Sequence, residues 1–298
     1  MHGLPWNRPV SHSLLKVEGA GNDFLLGIGE WARRLADEPD LVARLCDRRR
    51  GLGADGVLAL SRESSSRVRL IYRNTDGSPS PFCGNGTRCA ARVAVEVLGL
   101  TSPLVVGTGW ADIPAEVVGP LVTLELPGLA MEPRWVELES LGQCWRGRLL
   151  EVGVPHLVLH VEDVRAVDLD LLAPPLRCHP ALGPGGANVS FASRGVDGTV
   201  HIRTFERGVE AETLCCGSAV VAAAVAEMAD GGDHRVVLRA RSGDELVVET
   251  LGDPLHDPVF LTGPTRIIAA VEPAPDLLDA PAQPNRVKGK KLGSSGIP

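Results

Sequence analysis

The sequence predicts an α+β fold of two pseudo-symmetric domains, each a mostly antiparallel sheet wrapped around a central helix. Three observations carry the expectation. Four blocks of the first half recur in the same order in the second, the mark of an internal duplication. Both copies end in an Ala/Val-rich stretch with almost no polar face, the pattern of a helix buried all round. Each of those stretches opens on the same dipeptide, Cys83-Gly84 and Cys216-Gly217.

In chain order, LKVEGAGNDFLLGI (Leu15 to Ile28) corresponds to LLEVGVPHLVLHV (Leu149 to Val161). Both show apolar alternation, a break containing glycine and a second apolar run, which reads as strand, loop, strand. GLGADGVLAL (Gly51 to Leu60) corresponds to GGANVSFA (Gly185 to Ala192), and VRLIYRNTDG (Val68 to Gly77) to VHIRTFERG (Val200 to Gly208), period-two strands running into polar residues and a glycine. The fourth pair is CGNGTRCAARVAVEVL (Cys83 to Leu98) with CGSAVVAAAVAEM (Cys216 to Met228). A hinge is expected near Pro127 to Pro133, in LPGLAMEP. PVFLTGPTRIIAAV (Pro258 to Val271) is expected to return to the first domain as two more strand-like runs. The domains so drawn are residues 1–128 with the returning segment 258–272, and residues 129–257. A tail, residues 273–298, rich in Pro, Ala, Gly and Lys, is expected to be disordered, its cluster Arg286, Lys288, Lys290 and Lys291 solvated.

A chain of 298 residues, 44% apolar, can bury one large core or two ordinary ones. Its net charge of −7 is spread without a basic stripe and only 4% of residues are aromatic, which argues against nucleic acid as a partner and favours a small molecule. No apolar run approaches the roughly 18 residues that span a bilayer, and Met1 to Ser13 lacks the apolar core of a signal peptide, so a cytoplasmic protein without membrane contact is expected. The cysteines, Cys46, Cys83, Cys89, Cys144, Cys178, Cys215 and Cys216, are odd in number and lack a compact framework, so free thiols are expected.

A cysteine at the start of a buried helix meets unsatisfied N–H groups and the positive end of the helix dipole, which favour the thiolate and should lower its pKa. Gly84, Gly86 and Gly217 let a ligand approach the backbone, where the same N–H groups can hold a carboxylate. Two such starts related by a pseudo-twofold would converge on one cleft. Inverting a carbon centre needs a proton removed from one face and one returned to the other, and two opposed thiols holding one proton between them can do both. The scheme demands no cofactor and no metal.

The motifs GAGNDF (Gly19 to Phe24), NTDGSPSPFCGNGTRC (Asn74 to Cys89), GVPH (Gly153 to His156), GANV (Gly186 to Val189) and ERGVEAETLCCGS (Glu206 to Ser218) together resemble diaminopimelate epimerase, over Leu15 to about Val271. The resemblance implies the diaminopimelate epimerase-like fold and a cofactor-independent isomerase that interconverts LL- and meso-diaminopimelate for lysine and peptidoglycan synthesis. It makes Cys83 and Cys216 the acid/base pair. Asn22, Asn74, Asn188 and Arg207 would hold the distal amino and carboxylate groups, Gly84, Asn85, Gly217 and Ser218 the carboxylate at the reacting carbon, and Glu206 and His156 would sit near the reacting amino group. The substrate would be a small amino acid, and a homodimer is compatible with the resemblance.

Val154 stands where many members carry Asn, and the stretch from Glu206-Arg207-Gly208 to the cysteine is one residue longer than the commonest form. Correspondence with Cys83-Gly84 assigns the second thiol to Cys216 rather than to Cys215. Cys46, Cys89, Cys144 and Cys178 read as small buried hydrophobes, Trp110 as a packing residue, and the asparagines alternatively as turn residues. Adjacent cysteines fit zinc-ligand spacing poorly, so no metal site is expected from Cys83, Cys89, Cys215 and Cys216. Two other readings remain: a racemase of another amino acid on this fold, kept open by Val154, and a catalytically inactive amino-acid-binding protein.

Overall fold

A computed structural model describes residues 13–129 and 132–279. The two halves repeat one pattern of strand pairing. In the first, Leu14–Gly19 pairs antiparallel with Asn22–Ile28, which runs parallel to Gly56–Arg62; Arg67–Asn74 follows antiparallel, then lies parallel to Leu104–Gly107. Asp112–Val118 and Leu121–Leu126 complete the series. In the second, Gln143–Glu151, Pro155–His160, Asn188–Arg194, Val200–Glu206, Arg235–Arg239, Glu245–Thr250 and Val259–Pro264 pair in the same alternation. Parallel steps need a crossover, and the two long ones are the central helices Gly84–Glu96 and Gly217–Ala229.

Each half borrows from the other. Val259–Pro264 pairs antiparallel with Leu121–Leu126, joining the sheets, and Arg266–Val271 crosses to pair with Leu14–Gly19; correspondingly, Arg134–Ser140 pairs with Gln143–Glu151. Thus each sheet wraps its own helix, and one continuous apolar cluster, from Leu15 to Leu261, runs through both. The second helix is buried from Gly217 through Glu227 apart from Ser218, because it is alanine and valine with no charged residue before Glu227.

Outside this core, Glu30–Asp37 and Pro39–Cys46 cover one face of the first half, and Leu169–Arg177 covers the second. Residues 275–278, placed in the tail from the sequence, form a short helix whose Leu277 and Leu278 pack beside Leu14 and Leu45. The basic cluster at 286–291, the segment 1–12 and part of the expected hinge lie outside the described residues. Among the described residues no helix is long and apolar enough to cross a membrane.

Candidate active site

Cys83 and Cys216 are the N-caps of the two central helices. Cys83 is extended, at φ −147° and ψ 111°, and its sulfur accepts the N–H of Gly86 at 3.4 Å, satisfying one of the donors a helix start leaves free. Cys216, at φ −107° and ψ 112°, sets its sulfur 3.4 Å from the Ser218 hydroxyl. The helix starts abut: a methyl group on Gly217 would lie 3.6 Å from Gly84 Cα and 3.4 Å from Asn85 Oδ1. Both glycines are therefore where two backbones come close, and two consecutive pairs of N–H-bearing positions, Gly84-Asn85 and Gly217-Ser218, share one small volume.

Strand register sets the candidate residues of the two sheets in matching rows. Phe24, Gly56 and Asn74 lie side by side at the end of the first sheet, and His156 and Asn188 do so in the second, with Glu206 one step beyond the Val189–Phe205 pair. The offset between the rows is 132 residues throughout (24 to 156, 56 to 188, 74 to 206). By the same offset the counterpart of Asn22 is Val154, so the two halves differ in polarity at this position.

Asn22 donates its amide N–H to Asp55 at 2.8 Å. Its oxygen faces the Cys83 thiol at 3.8 Å and accepts from Asn85 Nδ2 at 3.3 Å. Asn85 Nδ2 also donates to the Cys215 carbonyl at 3.0 Å, and Asn85 Oδ1 accepts from Arg88 at 2.8 Å. The Asn85 side chain, only 2% exposed, is thus spent within the protein, and what it can offer a ligand is its backbone N–H.

Glu206 accepts from the Thr213 hydroxyl and from the Cys216 thiol, and burial raises its pKa. Asn188 accepts the Arg207 N–H at 2.8 Å and lies 3.5 Å from His156 Nε2. His156 is fully buried, its Nδ1 without a partner; burial, then the Arg207 charge, pushes its pKa down to about 3, so the imidazole is neutral. The Arg207 guanidinium has no hydrogen-bond or ion-pair partner among the described residues. Asn74 turns its amide to Ser78 at 3.0 Å, within its own turn, and its side chain makes no hydrogen bond to the other candidate residues among the described residues.

Two expectations need correcting. The thiols are not poised low: burial pushes Cys83 up to about 11 and Cys216 well above its ordinary value, and the Glu206 carboxylate adds to both. Backbone N–H groups at each helix start pull the other way but are outweighed by desolvation. Nor are Cys144 and Cys178 buried; both are exposed, while Cys46, Cys89 and Cys215 are core residues. The sequence reading also passed over Asp55, Arg88 and Thr213, although Arg88 stands out as a charged residue in the part of the helix that is buried throughout. No group of three or more His, Cys, Asp or Glu residues suited to a metal occurs among the described residues.

The same fold occurs in a probable proline racemase from Agrobacterium radiobacter K84 (TM-score 0.65, 18% identity, covering 90% of this chain and 94% of that one). It also occurs in a phenazine biosynthesis protein of the PhzF family from Enterococcus faecalis (TM-score 0.64, 15% identity, 88% and 99%). The architecture is therefore an α+β fold shared with these two proteins. The diaminopimelate epimerase family model matches residues 14–117 and 148–268. Proteins named diaminopimelate epimerase from Gemmatimonas aurantiaca and Mycolicibacterium smegmatis are each 35% identical to the chain, over 83% and 86% of it and 90% and 95% of their own lengths. The chain belongs to the diaminopimelate epimerase family, and it is an isomerase.

Proposed function

We propose that this chain interconverts LL- and meso-diaminopimelate by passing the α-proton between Cys83 and Cys216. The observation that carries the proposal is the contact between Gly84 and Gly217, which brings two cysteine-capped helix starts to one point from opposite halves of the fold. A carboxylate held by the N–H groups of Gly84, Asn85, Gly217 and Ser218 would place the adjoining carbon between the two sulfurs, and those donors would stabilise the charge that develops on deprotonation. We take the working units to be residues 1–128 with 258–272, and residues 129–257, closing over the substrate to exclude water.

The resting proton inventory follows from charge. Two buried thiolates beside a carboxylate would repel, so the cluster keeps both thiols and one anion, on Glu206. When Cys216 hands its proton to Glu206, the number of charges is unchanged and the thiolate becomes available as base. It takes the α-proton from one face. Cys83, whose thiol points at Asn22 Oδ1, returns a proton to the other face. The Arg207 guanidinium and the amides of Asn22, Asn74 and Asn188 are assigned to the distal carboxylate and amino groups, a bidentate pair being the strongest such contact.

A second reading, a racemase of another amino acid, is favoured by Val154, which stands where many family members carry Asn and so removes a polar contact to the distal end of the substrate. The test is α-proton exchange in deuterium oxide with LL- and meso-diaminopimelate and a panel of other amino acids, on the parent, Cys83→Ala and Cys216→Ala. Exchange with diaminopimelate that either substitution abolishes is expected. Faster exchange with another amino acid would transfer the assignment to that substrate.

A further inference from the structure

Arg88 is the largest fully buried side chain among the described residues, 0% exposed, and it has no carboxylate partner among them. Among the described residues the one side-chain hydrogen bond it makes is from Nη2 to Asn85 Oδ1 at 2.8 Å, and Nε and Nη1 make none. The carboxylate of Glu18, on the adjoining strand, is taken by Arg266 and by the Gly21 N–H. Space for the guanidinium is kept by two glycines on different strands: a methyl on Gly263 would come within 3.0 Å of Nε, and one on Gly19 within 3.6 Å of Nη2. A buried, unpaired guanidinium is a costly arrangement, and one that touches no solvent has no surface role to justify it.

What it secures is the orientation of one amide. Asn85 has two N–H donors and uses them on Asn22 Oδ1 and the Cys215 carbonyl. Turned over, the amide would set its oxygen against both of those acceptors, and Arg88, a pure donor, would face its NH2 group. The guanidinium therefore selects one of two orientations. In that orientation a single nitrogen joins the residue facing the Cys83 thiol to the residue immediately before Cys216. The second helix has no equivalent, because Ser218 and Val221 occupy the matching places 133 residues on. The clamp belongs to the first half and reaches across to the second.

We propose that Arg88 is a positioning residue of the reaction, acting through the Asn85 amide to hold the Cys83 thiol and the segment carrying Cys216 at a set separation. This rests on the reading of those two thiols as the reacting pair. The ionisable groups around the guanidinium are Cys83 and Cys89 on its own helix, Cys215 from the second half and Glu18 on the neighbouring strand; its charge favours the anionic form of each of the three thiols.

The test uses Arg88→Met and Arg88→Lys in the full chain. Three readings are taken: folded fraction by urea melts, kcat and KM by α-proton exchange, and the pH dependence of Cys83 alkylation by iodoacetamide, followed by peptide mass. For Arg88→Met, kcat per folded molecule is expected to fall about tenfold or more with KM little changed, and the alkylation profile of Cys83 to move to higher pH. Arg88→Lys, which keeps the charge and one donor, is expected to restore the alkylation profile and part of kcat. If Arg88→Met does not fold, Arg88→Lys decides, through a lower kcat at unchanged KM. A folded variant with parental kcat and an unmoved alkylation profile overturns the clamp. Loss of exchange with every amino acid by the parent itself, while the alkylation profile still shifts in Arg88→Met, overturns the reading of the reaction and leaves the clamp standing.

Discussion

Asn22 directs its amide nitrogen to Asp55 at 2.8 Å, and in doing so turns its oxygen toward the Cys83 thiol. Asp55 is held in turn by Arg48 at 2.7 Å, so the proton on Cys83 is oriented from a surface ion pair through two side chains. Asp55→Asn, which can present an N–H where an acceptor is needed, should let the Asn22 amide turn over. The expected result is a fall in kcat of about tenfold with stability changed by less than about 1 kcal/mol, since the ion pair itself is half-exposed. Steady-state kinetics beside urea melts decide it, and a stability loss that accounts for the whole fall in activity would remove Asp55 from the site.

Gly84 and Gly217 define the space in which a carboxylate would bind. Methyl groups at these positions meet only ordinary contacts, the nearest at 3.7 Å for Gly84 and 3.4 Å for Gly217, and neither glycine has a positive φ. Alanine also suits the first turn of a helix better than glycine, by about 0.5–1 kcal/mol in a helix interior. Gly217→Ala should therefore fold with equal or higher Tm while losing at least about tenfold in kcat/KM, because the methyl fills the approach to the N–H groups. Calorimetry and exchange rates on the same sample separate the two effects; unchanged turnover would show that the carboxylate is held elsewhere.

The legible parts of this molecule are those that duplication and burial constrain twice. The two central helices were readable because each is rich in alanine and valine and packed inside its own sheet, and the Cys-Gly starts because they occur at matching places. The surface helices Glu30–Asp37, Pro39–Cys46 and Leu169–Arg177 were not: each is short, and the last contains Pro174 and Pro175, which argue against a helix. Asp55 was hidden for another reason, since an acidic residue beside a glycine looks like any turn residue until register places it against Asn22. The thiol pKa shows the same limit in energetic form. The helix starts that favour the thiolate can be read from local sequence, but the burial that opposes them is set by packing between halves more than a hundred residues apart.

Glu206 adds negative charge near both sulfurs and so raises both thiol pKa values. Glu206→Gln removes that charge, which should lower both, and alkylation of Cys83 and Cys216 near pH 8 should become faster than in the parent. Epimerisation should nevertheless fall by about a hundredfold, as expected when a general base is lost, because Cys216 has nowhere to send its proton. Faster alkylation together with slower turnover is a combination that general destabilisation does not produce, provided the urea midpoint is retained. Slower alkylation of both thiols would show that the carboxylate does not act on them.

His156 supplies a prediction about stability. The folded chain keeps this imidazole neutral down to about pH 3, because burial and then the Arg207 charge oppose the cation. An unfolded histidine takes up its proton near pH 6.5, so between these values the unfolded state binds one proton that the folded state refuses. Its effect is absent above about pH 6.5, and as pH falls toward 3 it removes stability at about 1.4 kcal/mol per unit. His156→Leu lacks the group, so on going from pH 7 to pH 5 it should lose about 2 kcal/mol less than the parent does, whatever its stability at pH 7. Every other titrating group is common to both proteins and cancels in that difference. Urea melts at the two pH values are sufficient, and parallel losses in parent and variant would mean that the imidazole reaches water in the folded state.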